Sequence, residues 1–145
     1  MSWKVRKRKN NTIILGYYGI GKSYLAEHDD TVYDWTYTLM QPKLEELEYG
    51  LENYDTILCD PNCQDILDKG DFKYHIVIPA VELKDEYLER FKARYEAKKG
   101  SGGQGFRTGM ANRWDSTLER LRNTPCLSLT ILNKGQYLAD IIDKF

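Results

Sequence analysis

Nothing in this chain approaches the roughly 18 to 20 consecutive apolar residues of a membrane span, and its charged beginning lacks the apolar region of a signal peptide. The expectation is a cytoplasmic chain without a membrane partner. Cysteine is scarce and odd in number; Cys59, Cys63 and Cys126 predict three free thiols in a reducing compartment rather than a disulfide framework. No second cysteine pair follows Cys59 and Cys63, and neither His28 nor His75 has a paired partner, so a structural zinc site is not expected. Net charge is nearly absent as well. At -1 overall, the chain has no global attraction for nucleic acid or an anionic membrane. One basic run stands apart, Lys4, Arg6, Lys7, Arg8 and Lys9, without which the remainder would carry about -6. No second basic cluster with interleaved aromatics supports a nucleic-acid contact, so the run reads first as a solvated flank.

What is present suits one globular domain: 145 residues, 41% hydrophobic and 30% charged. Short β-rich runs fall at Thr12 to Leu15, Val32 to Tyr33, Thr56 to Cys59, His75 to Ile78 and Leu127 to Leu132. Near-continuous apolar runs of this kind suggest strands buried on both faces, as in a parallel sheet. Between them, Leu83, Tyr87, Leu88, Phe91 and Tyr95 share a helical face, as do Met110, Trp114, Leu118 and Leu121. Shorter helices are predicted from Gly21 to Glu27, from Lys43 to Leu51 after Pro42, around Gln64 to Leu67, and from Gln136 to Lys144.

The resulting order, βαβαβαβααβα, predicts an α/β chain: a three-layer α/β/α fold with a five-stranded parallel sheet and its ligand site at the carboxyl ends of the strands. Residues 98–109 hold Gly100, Gly102, Gly103, Gly105 and Gly109, and predict a short mobile lid over that site.

Gly16-Tyr17-Tyr18-Gly19-Ile20-Gly21-Lys22-Ser23 matches GxxxxGK[ST] in full, after a predicted strand and before a predicted helix. Glycines allow successive backbone N–H groups to turn inward around a phosphate, which needs positive φ and close approach. The following helix adds its positive end. This P-loop predicts ATP on Gly16, Gly19, Ile20, Gly21, Lys22, Ser23 and Tyr24, with Lys22 between the β- and γ-phosphates and the Ser23 hydroxyl on Mg²⁺. A GTPase would need NKxD where this chain has Asn133-Lys134-Gly135-Gln136, and an oligomeric motor usually needs a longer chain.

The loop GYYGIGKSYLAE, the following Val32-Tyr33-Asp34, Asp60, and the segment HIVIPAVELKDEYLERFKARYE resemble small nucleoside-monophosphate-kinase-like proteins, particularly those encoded by bacteriophages. The resemblance implies an ATP-dependent phosphotransferase with an arginine-bearing lid in the glycine-rich segment after Arg90 and Arg94. It further implies a substrate-side role for Asp34 and an adenine site at the turn Asn133 to Gly135.

Phosphoryl transfer depends mainly on positioning and charge neutralisation, so cations beside the transferred group are the catalytic parts to look for. Lys22, Arg94 and Arg107 are the candidates, with Arg113 just beyond; Arg90 and Arg94 could instead only pair with Glu86 or Glu89 on a solvated face. Asp34 and Asp60 end predicted strands beside the loop. Asp60 has the place of a Walker-B carboxylate and a second Mg²⁺ ligand, or of a turn residue before Pro61; Asp34 is a substrate-side base, or a cap. Trp35, Tyr33 and Tyr37 are either base-stacking faces or core. The acceptor is a nucleotide or other small molecule. Alternatives are a non-catalytic nucleotide-binding accessory protein and a kinase acting on nucleic-acid ends or modified bases.

Overall fold

The computed structural model describes residues 10–35, 41–97 and 103–145, with side chains left out for 95–97 and 103–107. The basic run at 4–9 and Tyr37 lie outside the described residues. Five strands form one all-parallel sheet: β1 (Thr12–Gly16), β2 (Val32–Trp35), β3 (Thr56–Cys59), β4 (His75–Pro79) and β5 (Leu129–Leu132), in the order β2-β3-β1-β4-β5. Burial follows that order. Ile14 and Leu15 of β1, Ile57, Leu58 and Cys59 of β3, and Ile76, Val77 and Ile78 of β4 are fully buried, as three central strands covered on both faces must be. The edge strand β5 leaves Leu129 and Ile131 exposed.

Helices α1 (Lys22–His28), α2 (Leu44–Asn53), α3 (Gln64–Lys69), α4 (Lys84–Ala97), α5 (Gly103–Arg122) and α6 (Leu138–Ile141) connect and follow the strands. Short 3-10 turns at Pro61–Cys63, Val81–Leu83 and Ile142–Lys144 lead into α3 and α4 and follow α6. Pro42 keeps the chain extended ahead of α2, whose start is closed by Glu46 Oε1 accepting from Lys43 N at 3.2 Å. The α5 stripe of Met110, Trp114, Leu118 and Leu121 is buried, and Trp114 Nε1 donates to Val81 O at 2.9 Å.

The strand order positions the site. From β1 the chain passes over β3 to β2, returns to β3, crosses β1 to β4 and moves outward to β5. The connections leaving β1 and β4 therefore run in opposite directions, so the carboxyl ends of these neighbours frame a topological switch point, where open α/β sheets bind ligands. Right-handed crossovers would distribute the helices over both faces, an arrangement compatible with three layers.

Part of the segment expected as a lid is helical. Gly103 to Gly109 form the opening turns of α5, so three of the five glycines lie within or begin a helix; residues 98–102 lie outside the described residues. Glycine costs a helix about 1 kcal/mol per residue, and the buried stripe from Met110 onward anchors the helix from which these turns extend.

Candidate functional site

Beyond β1, Tyr17 N continues the ladder by donating to Val77 O at 3.0 Å. The chain then curls through Gly19 at φ 82° and Gly21 at φ 93°, conformations that a side chain would strain. Space is short too. A Cβ on Gly16 would lie 2.5 Å from Ile20 Cδ1, and one on Gly19 would meet Phe91 Cε1 at 3.1 Å and Tyr87 Cδ2 at 3.2 Å. Ile20 itself is fully buried, so this residue shapes the loop from beneath, while its carbonyl accepts from Leu138 N at 2.8 Å at the start of α6.

Lys22 is buried, with only 7% of the residue exposed. Its ammonium donates to Gly16 O at 2.6 Å and Tyr17 O at 2.9 Å, closing the loop around its own lysine. Burial pushes the Lys22 pKa down, while the carboxylates of Asp60 and Asp34 oppose that shift. Ser23 Oγ donates to Asp34 Oδ2 at 3.0 Å. The carboxylate touching this serine is thus the one at the end of β2, two positions from β1 in the sheet; packing of α1 against β2 makes the reach possible.

Asp60 directly follows β3, which lies beside β1, and is completely buried. Oδ1 accepts from Asn62 N at 2.9 Å, capping the 3-10 turn, and Cys63 Sγ lies 3.9 Å from the same oxygen. The turn role is thus met, in a residue that also follows the strand beside β1. Oδ2 is buried without a hydrogen-bond partner. Burial raises the Asp60 pKa to about 6, against the lowering effects of Lys22 and the Asn62 amide.

An orphaned carboxylate oxygen and a serine hydroxyl close to the same lysine are hard oxygen donors of the kind Mg²⁺ takes. Among the described residues no group of three or more His, Cys, Asp or Glu could form a protein cage. Mg²⁺ commonly binds one or two protein oxygens plus phosphate oxygens and water, so Ser23 and Asp60 fit it.

Helix α4 forms the other wall. Tyr87, Arg90, Phe91 and Arg94 occur at helical spacing, and Tyr87 and Phe91 are buried against the loop. Arg90 does pair with Glu86, at 2.9 Å, but it also donates to Gly19 O at 2.8 Å. Its guanidinium carbon lies 4.2 Å from the Tyr87 ring centroid and 4.3 Å from that of Tyr137. Arg90 is thereby committed to holding the loop. Arg94, one turn on, lines a cleft of ≈ 350 Å³ together with Gly19, Gly21, Lys22, Ser23 and Tyr137.

Gly16, Gly19, Gly21, Lys22, Ser23, Asp34, Asp60 and Arg94 are thus grouped around one loop. Others are not. Tyr24 is 59% exposed and stacks on His28, the last residue of α1, with ring centroids 4.1 Å apart. Trp35 is buried in the core, and Tyr33 stacks on Tyr54 at 5.1 Å, so neither presents a base-stacking face here. Gly135 adopts φ 80° in the turn after β5, and Gln136 Oε1 accepts from Asn133 N at 2.8 Å; the residue of this region that lines the cleft is Tyr137. Arg107 falls within α5, among the residues whose side chains are not described. Tyr137 escaped sequence reasoning because no motif marks it; an aromatic just after the turn at Gly135 was the available signal. Set against protein-family models, curated proteins and solved structures, the chain finds no match in any of the three comparisons.

Proposed function

We propose that this chain is an ATP-dependent phosphotransferase of the three-layer P-loop type, moving the γ-phosphate of ATP to a nucleotide or other small acceptor. The observation that carries the reading is the loop from Gly16 to Ser23: two left-handed glycines, a lysine ammonium enclosed by the loop, and a serine tied to a carboxylate, at the sheet's switch point. Phosphate oxygens entering the loop would take the places of the Gly16 and Tyr17 carbonyls on Lys22 Nζ. That exchange brings a buried cation onto the bond to be broken.

Ser23 and Asp60 would hold Mg²⁺, which when bound neutralises charge on the β- and γ-phosphates. Asp34, positioned by Ser23, would accept a proton from a hydroxyl acceptor or orient a water. Arg94 lines the same cleft as Lys22 and Ser23, where its charge would stabilise the transferring group. Arg90 keeps Gly19 in place while this occurs.

Incubation with γ-labelled ATP and a panel of nucleosides, monophosphates and oligonucleotides tests the proposal. Label should appear on one class of acceptor and disappear with Lys22→Ala. ATP binding without transfer to any acceptor would favour the accessory-protein alternative, and no ATP binding at all would refute the assignment of the loop.

A further inference from the structure

The run of Lys4, Arg6, Lys7, Arg8 and Lys9 leads into the described residues at the carboxyl end of α2. Asn11 fixes that point. Its Nδ2 donates to Leu51 O at 3.0 Å and to Tyr54 O at 2.6 Å, before Thr12 opens β1. Helix α2 itself is charged with one sign. It carries Glu45, Glu46, Glu48 and Glu52 with no lysine or arginine, and its last turn lacks the cation that would offset the negative end of a helix. The inner side, Leu47 and Gly50, is buried, with Gly50 facing Tyr33 and Ile57. On the outer side Glu45, Glu48, Tyr49 and Glu52 follow at spacings of three and four, all exposed, beside Leu44. Leu44 is 44% exposed and Tyr49 53%, so apolar surface runs between the carboxylates. The Tyr49 ring centroid lies 5.7 Å from that of Tyr33 and 6.2 Å from that of Tyr54, which continues an aromatic patch from the stripe to the carbonyl that Asn11 holds.

Lysine and arginine suit such a stripe: their charged heads pair with carboxylates or lie over a tyrosine ring, while their stems cover apolar surface. We propose that residues 4–9 dock on the outer stripe of α2 in their own chain, running from its carboxyl end back toward Leu44. Length allows it. Six extended residues reach about 20 Å, and the ten residues of α2 span about 15 Å. The opposed charges are nearly equal, five cations against four carboxylates. Exposed ion pairs are individually weak and screened by salt, which favours a tethered occupant over a separate chain. Only Asn10 separates Lys9 from the Asn11 anchor, so the run meets α2 at an effective concentration on the order of millimolar. Docked there, its charge is neutralised within the molecule, and any polyanion has to displace it from α2. The proposal is independent of what the loop at Gly16 to Ser23 binds.

Trypsin cuts after lysine and arginine, so its rate at Lys4 to Lys9 reads whether the run is held. The full chain and a synthetic peptide of residues 1–11 are digested in the same low-salt buffer and followed by mass spectrometry. The run should be cut at least roughly fivefold more slowly in the chain than in the peptide, because the protease reaches only the undocked fraction. In the triple variant Glu45→Gln, Glu48→Gln, Glu52→Gln the chain should come within about twofold of the peptide. All three side chains are exposed, and glutamine keeps their length and helix propensity, so the variant should fold, which circular dichroism checks. Sodium chloride at about 0.5 M should likewise remove the protection of the wild type relative to the peptide, a readout that needs no variant. Equal cutting of chain and peptide at low salt overturns the proposal, as does protection that survives the substitutions or the salt. Protection lost on roughly hundredfold dilution assigns the stripe to the run of a second copy. Protection gained only with an added oligonucleotide assigns the run to nucleic acid. Either result overturns docking within the chain.

Discussion

Asp60→Asn should make the protein more stable at neutral pH while impairing Mg²⁺-dependent chemistry. The carboxylate is completely buried, its Oδ2 has no hydrogen-bond partner, and its pKa rises from 3.8 to about 6 because burial disfavours the charge. A group that holds its proton more tightly when folded stabilises the fold below its unfolded pKa, and that contribution is lost as pH rises through the folded value. Between about pH 4 and pH 6 the wild type should therefore lose stability, by about 3 kcal/mol at about 1.4 kcal/mol per pH unit. The amide avoids this loss. It can keep the bond from Asn62 N, and it replaces one unpartnered buried atom with another, so a net gain of about 1 to 3 kcal/mol is expected above pH 6.5. In a chain of this size that is a rise in thermal midpoint of roughly 3 to 10 °C. Thermal or urea denaturation at pH 4.5 and pH 7.5, without nucleotide, measures it. The variant should match the wild type at the lower pH and exceed it at the higher. A difference independent of pH, or a less stable variant at pH 7.5, would refute the account of Asp60 as a buried charge awaiting a cation. Turnover with Mg²⁺ should fall in the same variant more than metal-free ATP binding does.

Lys22→Ala should weaken ATP binding by at least roughly tenfold in calorimetry, with an unchanged circular dichroism spectrum. Arg90→Ala removes a charge-assisted bond to Gly19 O and two ring contacts, and should cost about 2 kcal/mol in urea titration together with weaker ATP binding. A loss of stability with full ATP affinity would detach Arg90 from the shape of the loop. Gly50→Ala in α2 places a Cβ 2.5 Å from Tyr33 Cδ2 and 2.9 Å from Ile57 Cδ1. Overpacking should outweigh the gain in helix propensity and destabilise by about 1 kcal/mol, with ATP affinity retained.

The order of elements and the place of the glycine loop after β1 were legible in the sequence because both are local. Apolar runs such as Ile13-Ile14-Leu15 and the spacing of Met110, Trp114, Leu118 and Leu121 register each element's period without reference to its neighbours. The glycines at 19 and 21 likewise declare a backbone conformation on their own. Local signals misled where packing overrode them: Gly103, Gly105 and Gly109 suggested a break between helices, yet they belong to the helix that buries Trp114. The motif marked Lys22, but not that the loop's own carbonyls enclose it. Only tertiary structure decided which distant residues meet. The order β2-β3-β1-β4-β5 brings Asp34 to Ser23 and Asp60 beside β1, while the packing of α4 and α6 on the loop places Arg90 between Tyr87 and Tyr137. These pairings join positions far apart in the chain, and no periodicity records them. They follow from which strands lie side by side and which helix faces are turned toward the loop.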